Sequence, residues 1–88
     1  MNEKELEKLH KALANRRRIA IVQFLKSGKD ADLTALSAHL KLGYKSTSKH
    51  AGQLCAAGIL DKDTRGGIVY FSISKTVPAL AAHTLKLL

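Results

Sequence analysis

Between Asp32 and Asp61 the chain carries no acidic residue, yet it holds Lys41, Lys45, Lys49, His39 and His50. The same stretch dictates its own local geometry. Leu33, Leu36 and Leu40 recur at three- and four-residue steps, the spacing of one helix face. The run LKLGYK, from Leu40 to Lys45, interrupts that pattern. Thr47, Ala51 and Leu54 then restore it, and Gly58 supplies a helix stop. Two short helices joined by a tight turn, lined outside by cations without acids, make a surface suited to a polyanion.

The flanks read with similar clarity. Leu6, Leu9 and Leu13, with Ala12 beside them, give Glu3 to Ala14 one apolar helix face, and its acids sit in the first turn where the helix dipole favours them. Asn15 is a natural cap for a second helix from Arg16 to about Ser27, ended by Gly28. Asp30 or Asp32 caps the third helix, and the fourth runs from about Lys45 to Ala57. Ile59–Lys62 and Ile68–Ser74 read as the strands of a hairpin, with DTRGG (Asp63 to Gly67) as the turn. Val77 to Leu88 closes the chain as an apolar helix, with Pro78 acceptable only in its first turn. The expected class is mainly α with a small β-hairpin, in the order α-α-α-α-β-β-α, without repeats or linkers.

Charge narrows the choice of partner. Fifteen lysines and arginines face seven aspartates and glutamates, a formal +8, which favours phosphate backbones or anionic membrane surfaces over a generic solubility charge. No apolar run approaches the ~20 residues that span a bilayer. The start MNEKELEKLHK is too charged for a signal-peptide core, so a cytoplasmic protein without a membrane partner is expected. Eighty-eight residues make one domain, and a chain this short buries only roughly 60–65% of its unfolded surface, so dimerisation is a natural supplement. With a single cysteine, Cys55, no intrachain disulfide and no all-cysteine metal cage can form.

A helix that reads DNA must lie in the major groove at an angle fixed by a preceding helix. With Thr47, Ala51 and Leu54 turned inward, Lys45, Ser48, Lys49 and Gly52 face out, and Tyr44 stands at the helix entrance. Lysine donates to guanine or to phosphate, and serine meets base edges or backbone. Ser46 is placed to cap the helix or to bond phosphate. Arg65 in the hairpin turn is placed to reach an adjacent minor groove or a phosphate.

Taken together, these residues resemble the ArsR/SmtB family of winged helix-turn-helix repressors, from about Leu9 to Ile73. LHKALANRRRIAIVQFL is similar to the family's opening Leu-Ala-Asn-Pro-x-Arg-x-x-Ile-Leu pattern, through Ala12, Leu13, Ala14, Asn15, Arg18 and Ile21, with Arg16 where proline is common. Leu33, Leu36, Leu40, Leu42, Ser48, His50, Leu54, Ala57, Gly58 and Ile59 match the family's helix-turn-helix run, and RGGIVYFSIS is similar to its wing ending. Ala51 replaces a larger core leucine, and Gly43 stands where a capping serine is common. The resemblance implies a homodimer joined by its first and last helices. Residues 1–88 then form one winged helix-turn-helix domain, with dimerisation helices at 1–14 and 75–88, the helix-turn-helix at 32–58 and the wing at 59–74. Leu6, Leu9, Leu13, Leu80, Leu85 and Leu88 are the expected dimer contacts. His50 matches a family position near DNA.

The family's metal sites are not matched. LTALSAHL holds no cysteine, and the last helix has only His83, with Leu87 four residues on and no acid. No nucleophile has a base and an orienting group, and no glycine loop cradles a phosphate ahead of a helix, so neither an enzyme nor a cofactor is expected. The expected function is sequence-specific binding of duplex DNA by a homodimeric repressor on an inverted-repeat operator. Tyr44, Lys45, Ser48 and Lys49 would read bases, and Lys41, Ser46, His50 and Arg65 would hold the backbone. The alternatives are a winged-helix protein-interaction module and a shape-reading binder of duplex RNA or DNA.

Overall fold

The computed structural model describes residues 2–77 and 79–88, with side chains given for all of these except residues 79–81. The expected place of Pro78 and the expected contact of Leu80 lie outside the described residues. The helices are α1 (Glu3–Leu13), α2 (Arg16–Leu25), α3 (Leu33–Leu40), α4 (Tyr44–Ala56) and α5 (Ala79–Lys86), and the strands are β1 (Ala31–Asp32), β2 (Leu60–Arg65) and β3 (Ile68–Ile73).

Caps set the helix starts. The Asn2 side chain accepts from the Glu5 N–H at 2.9 Å, and Asn15 accepts from Arg17 and Arg18 at 2.9 and 3.2 Å. Asp32 caps α3 by accepting from the Ala35 N–H at 2.9 Å, which resolves the choice between Asp30 and Asp32. Gly28, at φ 86°, follows α2 in the left-handed region that glycine enters without a Cβ penalty.

The hairpin is longer, and its turn tighter, than the sequence predicts. Asp63, Thr64 and Arg65 belong to β2, opposite Tyr70, Val69 and Ile68. Only Gly66 and Gly67 make the turn, at φ 59° and 80°. Two consecutive positive φ values match the right-handed twist of the strands, which is why a Gly-Gly pair suits a two-residue hairpin. The two-residue β1 joins the other edge, giving the antiparallel order β1-β3-β2 with Ala31 opposite Phe71.

One core gathers apolar faces from every helix. Ile21, Val22 and Leu25 of α2 meet Leu36 of α3, Ala51 and Leu54 of α4, and Ile59 before the wing. Leu9, Ala12, Leu60, Phe71 and Leu85 complete it. Leu9 and Leu85 are 2% and 7% exposed and pack in the subunit's own core. Thr47 is buried and donates its hydroxyl to the Gly43 carbonyl at 2.9 Å, while the buried Ser37 Oγ has no partner among the described residues.

Candidate nucleic-acid interface

The turn between α3 and α4 fixes their angle. Lys41 closes α3 in the left-handed conformation at φ 54°, and the Leu42 N–H bonds back to the Ser37 carbonyl at 3.1 Å. The Tyr44 and Thr34 hydroxyls share a hydrogen bond that ties the start of α4 to the start of α3. Thr47, Ala51 and Leu54 are the buried residues of α4. Helical periodicity therefore turns Tyr44, Lys45, Ser48, Lys49 and Gly52 outward, all of them exposed. Ser46 is exposed too, but it is not the cap. Gly43 is the N-cap and offers no side-chain hydrogen bond, so the amides that open α4 have no side-chain acceptor.

His50 lies half-buried on the flank of α4, with its Nδ1 3.4 Å from an Nη of Arg18. Burial pushes the imidazole below its ordinary value, and the charges of Arg18, Arg17 and Lys49 push it the same way. The uncharged ring is favoured in that setting. Arg18 is the residue whose role sequence reasoning understates. Its Nε donates to the Ala12 carbonyl at 2.7 Å and an Nη to the Lys11 carbonyl at 2.9 Å, at the negative end of α1. Another Nη reaches the Gln53 side chain on α4. One guanidinium thus joins α1, α2 and α4. Its partners on α4 lie 32 and 35 residues away, so only the resemblance to a family signature marks it in the sequence.

Arg65 is not a free cation at a hairpin tip. It ends β2, pairs with Asp30 and, at 3.3 Å, with Asp63, and lies 4.0 Å over the Tyr70 ring. These contacts pin the wing to the segment before α3. Between α4 and the wing an open groove is lined by Leu33, Ser48, Lys62, Thr64, Val69 and Phe71. Ile68 and Val69 leave apolar surface exposed on the wing.

On α1 and at the end of the chain, Leu6, Leu13 and Leu88 are half-buried, and Leu13 and Leu88 pack against the core. Leu87, absent from the expected contacts, is 76% exposed. Cys55 is half-buried, and burial pushes its thiol upward. Among the described residues no group of three His, Cys, Asp or Glu side chains is placed to hold a metal ion. No helix among them is long and apolar enough to cross a membrane.

No protein-family model matches the chain, and neither does any curated protein. Solved structures do. A transcriptional regulator HlyU from Vibrio vulnificus CMCP6 is 26% identical over 98% of this chain and 85% of its own, with a TM-score of 0.77. The transcriptional repressor PagR of Bacillus anthracis is 25% identical over 96% of this chain and 92% of its own, at 0.78. The homodimeric winged helix-turn-helix DNA-binding domain Mb0332 from Mycobacterium bovis, a possible ArsR-family regulator, is 21% identical over 96% and 74%, at 0.81. The turn-linked α3 and α4, followed by a twisted hairpin, give this chain the winged helix-turn-helix fold of ArsR-type transcription regulators.

Proposed function

We propose that the chain is a homodimeric transcription regulator of the repressor type, not an enzyme, that binds duplex DNA of defined sequence in the cytoplasm. One observation carries the reading: the exposed face of α4 presents Tyr44, Lys45, Ser48 and Lys49 with no acidic residue anywhere on α3 or α4. Tyr44, Lys45, Ser48 and Lys49 meet base edges, and Lys41, Ser46 and His50 hold the backbone. Arg65, already paired with two carboxylates, acts mainly by fixing the wing's position. The homodimeric description of the Mycobacterium bovis domain supports a dimer, and we assign its contact to α1 and α5. Among the described residues, Leu6, Leu13, Leu87 and Leu88 have surface left for that contact. Two reading helices related by a twofold axis call for an inverted-repeat operator.

Gel shifts with mixed-sequence duplex DNA, duplex RNA and an acidic polypeptide test this. The expected result is a preference for duplex DNA that weakens steeply with salt. Equal or tighter binding to the acidic polypeptide would make the module a protein-interaction domain instead.

A further inference from the structure

The charge of this protein is distributed unevenly. On the wing the arginine is compensated: Arg65 is held by Asp30 and Asp63. Where the first turn of α2 meets the flank of α4 there is no such compensation. α2 opens with Arg16, Arg17 and Arg18, and its first turn contains no acid. The amide end of a helix is positive, so cations there oppose the dipole, whereas α1 places Glu3 and Glu5 at the equivalent position. Arg18 is explained by its bonds to the end of α1. Arg16 and Arg17 are exposed, and no carboxylate pairs with either among the described residues. The 3.4 Å approach of Arg18 to His50 brings the first turn of α2 against the flank of α4, where the His50 ring feels Arg17, Arg18 and Lys49 and no acid, and Lys49 has no carboxylate partner among the described residues.

Such a cluster is unfavourable for the isolated fold. Two arginines sit where the helix dipole repels them, and one of them, Arg17, acts on the half-buried His50 alongside Lys49. It is continuous with the outward face of α4, because Lys49 belongs to both.

We propose that Arg17 and His50, with Arg16 beside Arg17 at the start of α2, form a backbone clamp that takes a phosphate of the DNA strand flanking the groove read by α4. The clamp rests on the DNA-binding reading above and adds to it the place where the backbone is held. Neutralisation by the incoming phosphate offsets the repulsion that the free protein carries. The main electrostatic anchor is then the α2–α4 junction and not the wing.

The test uses the full chain, a mixed-sequence duplex and fluorescence anisotropy over a range of salt. Each phosphate that the protein no longer neutralises lowers the log–log salt slope by about 0.9 per protomer. The expected result for R16Q/R17Q is a slope lower by about one such increment per protomer and roughly tenfold or greater loss of affinity at low salt. Its melting temperature stays equal or rises, since two charges opposed to the dipole are gone. K26Q, which removes one charge at the other end of α2, leaves the slope unchanged. A wild-type slope retained in R16Q/R17Q overturns the clamp, as does a fall in melting temperature, which would make the arginines structural. If the wild-type chain binds no duplex at all, the DNA-binding reading fails and the clamp fails with it.

Discussion

Replacing Arg18 by alanine separates structural cations from those that await a ligand. The wild-type side chain makes a half-buried bond to the Ala12 carbonyl and a more exposed one to the Lys11 carbonyl. It also bonds Gln53 and approaches His50. Hydrogen bonds from a charged donor contribute about 1.5–3 kcal/mol when buried and less where water competes. Taking the low end for the Ala12 bond, and about half of that for the Lys11 bond, gives a loss of about 2 kcal/mol. For a domain of this size about 1 kcal/mol moves the melting temperature by roughly 4–8 °C, so R18A is expected to melt about 10 °C lower. R18K keeps the charge but not the planar fork that reaches two carbonyls and a glutamine, and should recover less than half of the loss. Thermal and urea unfolding followed by circular dichroism measure both. A melting temperature for R18A within about 2 °C of wild type would refute the joint between α1, α2 and α4.

Three further outcomes follow from single side chains. Ser37→Ala removes a buried hydroxyl without a partner among the described residues and should stabilise the fold by about 1 kcal/mol, read as a higher melting temperature; a lower one would mean the hydroxyl is bonded. Asp32→Ala removes the cap of α3 and should cost about 1 kcal/mol, whereas Asp30→Ala leaves that cap intact, so equal losses would contradict the assignment. The third outcome concerns pH. Burial and the nearby cations hold His50 below its ordinary pKa of 6.5 in the folded state, so the unfolded chain takes up the proton first. Its contribution to stability is therefore complete above that value and is lost as pH falls through it. A set of urea melts between pH 7.5 and 5 should show this slope, and it should be shallower in H50Q; identical slopes would remove His50 as the cause.

The helices are legible in the sequence because their determinants are local. Leu33, Leu36 and Leu40 share one face, Thr47, Ala51 and Leu54 another, and Asn15 and Asp32 are side-chain caps adjoining the turns they close. The wing reads too short for a physical reason. Every residue of β2 after Leu60 is exposed, so no apolar alternation marks Asp63, Thr64 and Arg65 as strand. β1 is two residues long and exists only through its pairing with Phe71 and Tyr70 far along the chain. The outward face of α4 follows directly from helical periodicity. Arg65's commitment to Asp30 and Arg18's reach to Gln53 do not, since both partners are 35 residues distant and only the assembled fold brings them together. Leu9 and Leu85 carry the pattern of an apolar helix face, which does not distinguish a subunit's own core from a partner's surface.

The central claim is that α4 reads a defined DNA sequence from a twofold-symmetric dimer. Selection of bound DNA from a pool of random duplexes, followed by sequencing, tests it most directly. The expected result is an inverted repeat whose half-sites are centred about one helical turn apart, roughly 10 base pairs. Lys49→Ala is expected to weaken binding to that site roughly tenfold or more, in line with the removal of a specific base interaction. A bound pool with no enriched sequence, or a consensus to which K49A binds as tightly as wild type, would contradict the claim.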